Sequence, residues 1–402
     1  MSAALDKVTA PDTEEGVAEA VRAALAAREP LAVEGRGTKR AMLRPVQAAR
    51  TLSTRALTGI TLYRPTELVI SARAGTPVAE IEAALAEKNQ MLIAEPPDLR
   101  ALFGAEEGAT LGGVVGANLS GPRRITGGAM RDHVLGIRAV SGEGEVFRSG
   151  GRVLKNVTGL DLCKLLTGAY GTLGVLTEVT LKVQPAGEAT GTLAVRVPDL
   201  AEGIAVLSAA LSSPFGVSGA ALLPEGHAPL GLDGPVALVR IEDFAESVTY
   251  RLGRLRAALS CFGEVSMLEG APSRAAWRAV RDAVPLGAAP EGAVWRISVA
   301  PSRAPGVCAA LREAFPARLL LDWGGGLVWV SGPATAEAHA AVMAAAAVAG
   351  GTFTLFRAPE ALSAAVAVLP EEPAPLAAIG GRVKSVLDPA GILNPGRMRA
   401  GA

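Results

Sequence analysis

The sequence predicts an α+β fold in two parts. Between Glu107 and Val175 glycine and small residues are dense, and glycine is what lets main chain turn at positive φ or lie close against a flat ligand. Ahead of that belt, apolar runs of helix period and of strand type follow one another. From about Ala186 the texture changes, and glycine-rich loops give way to strands alternating with Ala/Arg/Glu helices. Such alternation suggests a second, α+β domain built on an antiparallel sheet.

Taken in order, Thr13 to Ala27 sets Val17, Val21, Ala24 and Leu25 on one helical face, with Glu14 and Glu15 in the first turn. Leu31 to Val33 reads as a short buried strand that runs into the loop Gly35-Arg36-Gly37. Leu68 to Arg73 is a strand, Gly75 a break, and a helix from about Pro77 aligns Val78, Ile81 and Leu85. Met91 to Ala94 is a strand stopped by Pro96-Pro97. Val134 to Val140 and Glu145 to Phe147 form a hairpin around Ser141 to Gly144. Leu176 to Val183 is a strand of alternating character, and Gln184-Pro185 closes the first domain. In the second, strands fall at Gly191 to Val197, Pro235 to Ile241, Ala293 to Val299 and Gly326 to Val330. The alanine tracts at 208–211 and 340–347 are helix formers.

Composition removes several function classes. At 402 residues there is room for two cores. Half the residues are hydrophobic but only 4% aromatic, so those cores rest on Ala, Val and Leu. Basic and acidic residues balance at 39 each, which gives no footprint for nucleic acid. Cys163, Cys261 and Cys308 stand far apart, without the spacing of a disulfide framework or an iron–sulfur cluster. The N-terminus has no basic stretch followed by an apolar one, so no signal peptide is expected. The longest apolar run, Ala340 to Gly350, is too short to span a bilayer and reads as a buried alanine helix. The expected location is the cytoplasm, with any contact with the inner membrane made through partners. No dinucleotide fingerprint, P-loop or nucleophile elbow is present.

The glycine belt has an order: Gly108 to Gly121, Gly127 to Gly136, Lys155 to Gly159, then Gly171-Thr-Leu-Gly-Val175. Ahead of it, Gly35-Arg-Gly-Thr-Lys39 can turn successive backbone N–H groups toward an anion. Glu95-Pro-Pro-Asp98 precedes the first block, and Asp388-Pro-Ala-Gly-Ile-Leu-Asn-Pro-Gly396 stands near the end. The set resembles the FAD-binding domain of the vanillyl-alcohol-oxidase (PCMH-type) superfamily, in its 2-hydroxyacid branch, over roughly residues 8–187 and 384–399. Within the branch, Gly151 to Asp161 and Leu321-Asp-Trp-Gly-Gly325 look like the FAD-binding subunits of bacterial glycolate oxidase (glycolate dehydrogenase).

The resemblance implies a PCMH-type FAD-binding domain over 1–187, an α+β cap over 188–375 whose sheet covers the flavin, and a segment 376–402 that returns to the first domain. It implies FAD held by Gly35, Arg36, Gly37, Thr38 and Lys39 in the pyrophosphate loop, and by Pro97 and Gly108 ahead of the second block. Thr110, Gly112, Gly113, Asn118, Ser120 and Gly121 align with residues lining the pyrophosphate and the ring. Arg131 and Asp132 align with an Arg-Asp pair, for which a structural ion pair at a strand end is the other reading. Gly171, Leu173, Gly174, Val175 and Asn394 complete the set.

Departures from the family pattern carry weight too. The loop Glu34 to Arg40 holds no His or Cys, so FAD should be non-covalent. Relatives that oxidise 2-hydroxyacids present a His-rich, often metal-binding cluster from the cap; here His133, His227 and His339 stand alone, and no metal site is expected. The catalytic residue is open. Arg296 beside Trp295 is a candidate clamp for a carboxylate, with packing of the tryptophan at a subunit contact as the other reading. Two functions follow. One is a flavin-bearing subunit accessory to a catalytic FAD subunit and an iron–sulfur subunit of a glycolate oxidase complex. The other is a self-sufficient FAD-dependent 2-hydroxyacid dehydrogenase acting on glycolate or D-lactate. Reductases of peptidoglycan precursors share the first domain, but Pro96-Pro97 and Asn394-Pro395-Gly396 disfavour them.

Overall fold

In the computed structural model, which describes residues 8–151 and 160–401, two sheet systems pack together. Most of the Gly151–Asp161 motif, and all of Lys155 to Gly159 with it, lies outside the described residues.

The first system opens with helix Glu14–Ala27, capped by the Thr13 hydroxyl accepting from Gly16 N. Val17, Ala18, Val21 and Ala24 are its buried stripe, packed on a three-stranded parallel sheet of Val8–Thr9, Arg50–Ser53 and Leu31–Glu34. Beside it stands a six-stranded antiparallel sheet whose axis is the eleven-residue strand Val175–Pro185. Val69–Arg73 and Val134–Val140 flank that strand, and Gln90–Leu92 pairs with its far end.

The second system is one antiparallel sheet of eight strands. Four expected strands are there with shifted ends: Ala189–Arg196, Val236–Asp243, Ala293–Ser298 and Leu327–Gly332. Four more were not singled out from sequence: Gly219–Leu223, Val265–Glu269, Arg318–Asp322 and Thr352–Arg357. Strand alternation gives the sheet two faces. Gly191 lies against Leu252 and Leu222 against Gly203, so helices Leu200–Leu211 and Ala245–Leu259 cover the outer face. The register pairs Thr192 with Arg240, Arg240 with Gly219, Leu320 with Trp329 and Trp329 with Arg296. These residues, with Asp322 and Phe356, stand on the inner face, which turns toward the first system.

The alanine helix is Ala336–Val348; it buries one side through Ala338, His339, Val342, Ala345 and Ala346 and leaves Val348 exposed. It is apolar on both sides but buried on only one. The C-terminal segment runs back to the first system, where Leu393 bridges Leu31 in parallel and Leu31 N donates to Ile392 O at 2.8 Å.

Four charged side chains lock the two systems together. Arg240, only 2% exposed, donates both Nη groups to the Glu95 carboxylate at 2.9 and 3.0 Å. Arg123 grips Glu242 at 2.9 and 2.6 Å, and its backbone N donates to Glu95 Oε2 at 3.0 Å. Burial by itself would raise the Glu95 pKa, yet Arg240 and Arg123 hold it below the ordinary carboxylate value. Removing one member strands a buried charge. Glu95→Ala is therefore expected to cost about 3–5 kcal/mol, read from the first urea unfolding transition. A loss below about 1 kcal/mol would place the network with exposed pairs.

Candidate functional site

A cleft of about 1200 Å³ runs through the first system, bounded by Ala32 to Ala49, the Thr110–Ala117 region, Tyr170 to Leu176, and Asn394 with Arg397. Its far wall comes from Ala358 to Ala364, just past the last strand of the second sheet.

Backbone chemistry shapes this cleft. A Cβ on Gly35 would fall 2.2 Å from Thr110 Oγ1, so only glycine lets the loop lie against Thr110. Thr110 in turn caps helix Leu111–Gly116, accepting from Gly113 N at 3.3 Å. Gly37 sits at φ +69°, left-handed backbone that favours glycine. Gly112 seats the helix on the first sheet, donating to Ala74 O at 2.8 Å where a Cβ would meet Ala74 Cβ at the same distance.

Polar groups then fix the loops to one another. Asn394 is buried; its Oδ1 accepts from Val33 N at 2.7 Å, and its Nδ2 donates to Val33 O at 3.1 Å and Tyr170 O at 2.8 Å. Arg397 donates to the carbonyls of Lys39, Arg40 and Arg44 at 2.7, 2.9 and 3.0 Å, so its charge orders the loop. Lys39 Nζ lies over Gly113 and donates to Thr38 Oγ1 at 3.1 Å. Burial, with Arg397 nearby, pushes Lys39 down to about 8, and burial pushes Arg397 down to about 10. Both are cations near neutral pH, and neither makes a salt bridge among the described residues. Arg36 differs: it stands 3.7 Å from Glu107, which offsets its charge.

Of the residues expected to hold the ligand, Gly35, Arg36, Gly37, Thr38, Lys39, Thr110, Gly112, Gly113, Gly171, Gly174, Val175 and Asn394 line the cleft. Pro97, Gly108, Asn118, Ser120, Gly121, Arg131, Asp132 and Leu173 do not. Ser120 and Asn118 brace the next turn: Ser120 Oγ accepts from Met130 N at 2.9 Å and Asn118 Oδ1 from Arg131 N at 3.1 Å. Gly121 meets the cap, its carbonyl accepting from Trp323 Nε1 at 3.1 Å. Arg131 and Asp132 are both exposed and make no ion pair with each other; Asp132 accepts from Ala129 N at 2.8 Å. Tyr170 and Arg397 were missed, although each adjoins a segment singled out from sequence. The wall from Ala358 to Ala364 had no local signal.

The pairing of Arg296 with Trp295 does not hold. Adjacent strand residues point to opposite faces. Trp295 is fully buried on the outer side, donating Nε1 to His339 Nδ1 at 3.1 Å, which also removes it from any subunit contact. Arg296 instead lies over Trp329, Trp323 and Phe356, at 4.8, 5.2 and 5.4 Å to the ring centroids. Asp322, on the same face, accepts from Trp323 N at 2.7 Å, and burial pushes its carboxyl up to about 7.

Glycine-lined main chain, two half-buried cations and this volume suit a flat ligand with a diphosphate, and exceed what a small metabolite needs. The FAD binding domain family matches residues 5–150. Fold and site define an FAD-dependent oxidoreductase of the PCMH type, and FAD is its cofactor. The chain belongs to the family of glycolate oxidase subunit GlcE. It is 37% identical to the Escherichia coli (strain K12) GlcE protein over 390 residues, covering 97% of this chain and 98% of that one. Glycolate oxidase subunit GlcD of Bacillus subtilis (strain 168) is 35% identical over 139 residues, 34% of this chain and 27% of its own. The fold is that of 4-ethylphenol oxidase from Gulosibacter chungangensis, with a TM-score of 0.71 at 15% identity, over 98% of this chain and 88% of that one.

Three predictions follow from the geometry. Acid precipitation should release the flavin of the wild-type chain into the supernatant, since Glu34 to Arg40 offers no His or Cys for a covalent link. Gly35→Ala, whose methyl would displace Thr110, should be purified with most of that flavin missing and the second sheet intact by circular dichroism. Yellow pellets, or full flavin content in the variant, would refute the respective claims.

The third concerns Asp322. Its folded pKa lies above the value of about 3.9 in an unfolded chain. Between roughly pH 4 and 7 the unfolded chain therefore releases a proton that the folded chain keeps, and stability falls as pH rises through that window. Asp322→Asn does not titrate, so its stability relative to wild type should climb from pH 4 to 7 and then level off. A difference in urea midpoint that stays constant with pH would show that this carboxyl titrates normally.

Proposed function

We propose that this chain is the FAD-binding subunit of a multi-subunit glycolate oxidase that converts glycolate, and D-lactate, to the 2-oxoacid. In this reading it is accessory to a separate catalytic FAD subunit and an iron–sulfur subunit. The observation that carries it is the end-to-end likeness to GlcE, over nearly the whole of both chains. Bound FAD supplies the two-electron acceptor. The chain's part is to hold the diphosphate through the backbone of Gly35 to Lys39, with Lys39 and Arg397 supplying positive field, and to close the cleft through Asn394.

The accessory role is supported by where the titratable groups stand. A base must reach the substrate hydroxyl, but His339 is tied to Trp295 and the three histidines are absent from the cleft lining. Cys163, Cys261 and Cys308 are separate free thiols. Helix Ala374–Leu387 buries none of its side chains and leaves Leu376, Ile379 and Val386 exposed. A 14-residue helix is marginal in water without packing, which suits a chain that works inside a complex. No helix of the described residues is long and apolar enough to cross a membrane; attachment to the inner membrane would run through partners.

The second reading is a self-sufficient 2-hydroxyacid dehydrogenase, and the unpaired Arg296 on the cap face favours it. Anaerobic stopped-flow separates the two. Glycolate should bleach the flavin of the isolated chain slowly or not at all, with rapid reduction restored by the partner subunits. Bleaching of the isolated chain as fast as the complex turns over would overturn the accessory role.

A further inference from the structure

The turn at residues 168–171 borders the cleft and holds one side chain on strained backbone. Tyr170 sits at φ +53°, in the left-handed region that a residue with a Cβ rarely adopts, between Gly168 at +88° and Gly171 at +71°. Such strain persists only where the surroundings fix it, and it gathers at ligand clamps. Three bonds fix it here. Gly168 N donates to Val115 O at 3.1 Å and Tyr170 N to Gly116 O at 2.8 Å, along the end of helix Leu111–Gly116. Asn394 Nδ2 donates to the Tyr170 carbonyl at 2.8 Å.

The side chain so placed is half-buried and lines the cleft. Among the described residues its hydroxyl has no hydrogen-bond partner. The chain has three tyrosines, and the other two are satisfied: Tyr63 Oη donates to Gln90 Oε1 at 3.0 Å, and Tyr250 is 65% exposed. The charges that reach Tyr170 are both positive. Arg397 acts from beside the loop of Gly35 to Lys39, its own donors engaged by the carbonyls of Lys39, Arg40 and Arg44. Arg296 acts from the seam between the two systems, where it and Arg124 lie over Trp323, at 5.2 and 4.5 Å to the ring centroid. Burial raises the phenol above its ordinary pKa although both arginines pull it down, so the hydroxyl keeps its proton near neutral pH. Two positive charges draw electron density from that O–H and strengthen it as a donor. An anionic oxygen is the acceptor that suits it, because the bond is then charge-assisted.

We propose that Tyr170 is a cofactor-binding residue, its hydroxyl donating to a phosphate oxygen of FAD alongside the backbone N–H groups of Gly35 to Lys39. The proposal rests on FAD as the cofactor, and neither on the choice of substrate nor on the accessory role.

Release of flavin from the FAD-loaded chain on dilution, followed by its fluorescence, tests the contact without turnover. ADP and adenosine serve as competitors. Tyr170→Phe keeps the ring and its packing and removes only the hydroxyl. It should bind FAD about tenfold more weakly, with the inhibition constant of ADP raised by the same factor and that of adenosine unchanged. The phosphorus resonances of bound FAD should shift between wild type and Tyr170→Phe, which a role confined to packing of the ring would not produce. Equal FAD affinity, or unshifted phosphorus resonances, would overturn the proposal. Weaker FAD with ADP unaffected would overturn the diphosphate assignment and place the hydroxyl against the flavin half. If Tyr170→Phe does not fold, the FAD-loaded wild-type chain labelled with fluorotyrosine carries the test. Solid-state fluorine–phosphorus coupling should then be strong at Tyr170 and absent at Tyr63 and Tyr250, and no coupling at Tyr170 would count against the contact.

Discussion

The contact between Glu95 and Arg240 is the constraint on which the rest depends. Each lies in a different sheet system, and neither can be buried unless the other arrives. A buried pair adds little net stability, because desolvation offsets most of the attraction. What it does here is select one docking geometry. A cap displaced by an ångström or two would leave Arg240 inside the protein without its carboxylate. The same logic recurs at Arg357, buried and donating to Leu102 O in the first system and to Gly292 O in its own. Trp323 adds a third tie through Gly121 O. With three points fixed, the second sheet sits against the first system in one orientation, and Arg296 is carried to the seam with it.

A second closure acts at the other side of the cleft. Asn394 bonds at once to the strand before the phosphate loop and to Tyr170. Three residues on, Arg397 gathers the carbonyls of that same loop. Nearly the last residues of the chain thus hold the loop that begins at Gly35. The order of the sequence explains the need: a glycine-rich loop has high backbone entropy, and distant segments must pin it before its N–H groups can hold one direction.

How much of this was legible in sequence depends on range. The Glu14–Ala27 helix, the central strand and four strands of the cap sheet were legible because apolar spacing is local. So was the cradle from Gly35 to Lys39. Strands such as Gly219–Leu223 were not, since a fully buried strand has no alternation to read. Of the segments implied by resemblance, those at the phosphate end line the cleft, whereas Ser120, Gly121 and Asn118 spend their bonds on turns and the seam. Pairing Arg296 with its chain neighbour failed because adjacent residues of a strand face opposite ways; its partners, Trp323, Trp329 and Phe356, come from three other segments.

Charge gives the last link between composition and function. The chain is formally neutral, which speaks against a polyanionic partner. Neutrality of the whole nevertheless coexists with a sorted interior. The acids near the cleft are engaged: Glu34 with Arg40, Glu107 with Arg36, Glu95 and Glu242 with Arg240 and Arg123. Lys39 and Arg397 at the loop, and Arg296 and Arg124 at the seam, have no carboxylate partner among the described residues. Within a few ångströms of low-dielectric wall such cations act far more strongly than they would in water. In the function proposed above, a diphosphate-bearing cofactor is met by local field rather than by net charge. That requires the acids to be bound elsewhere, which is what the Glu95 and Glu242 network accomplishes while it fastens the cap.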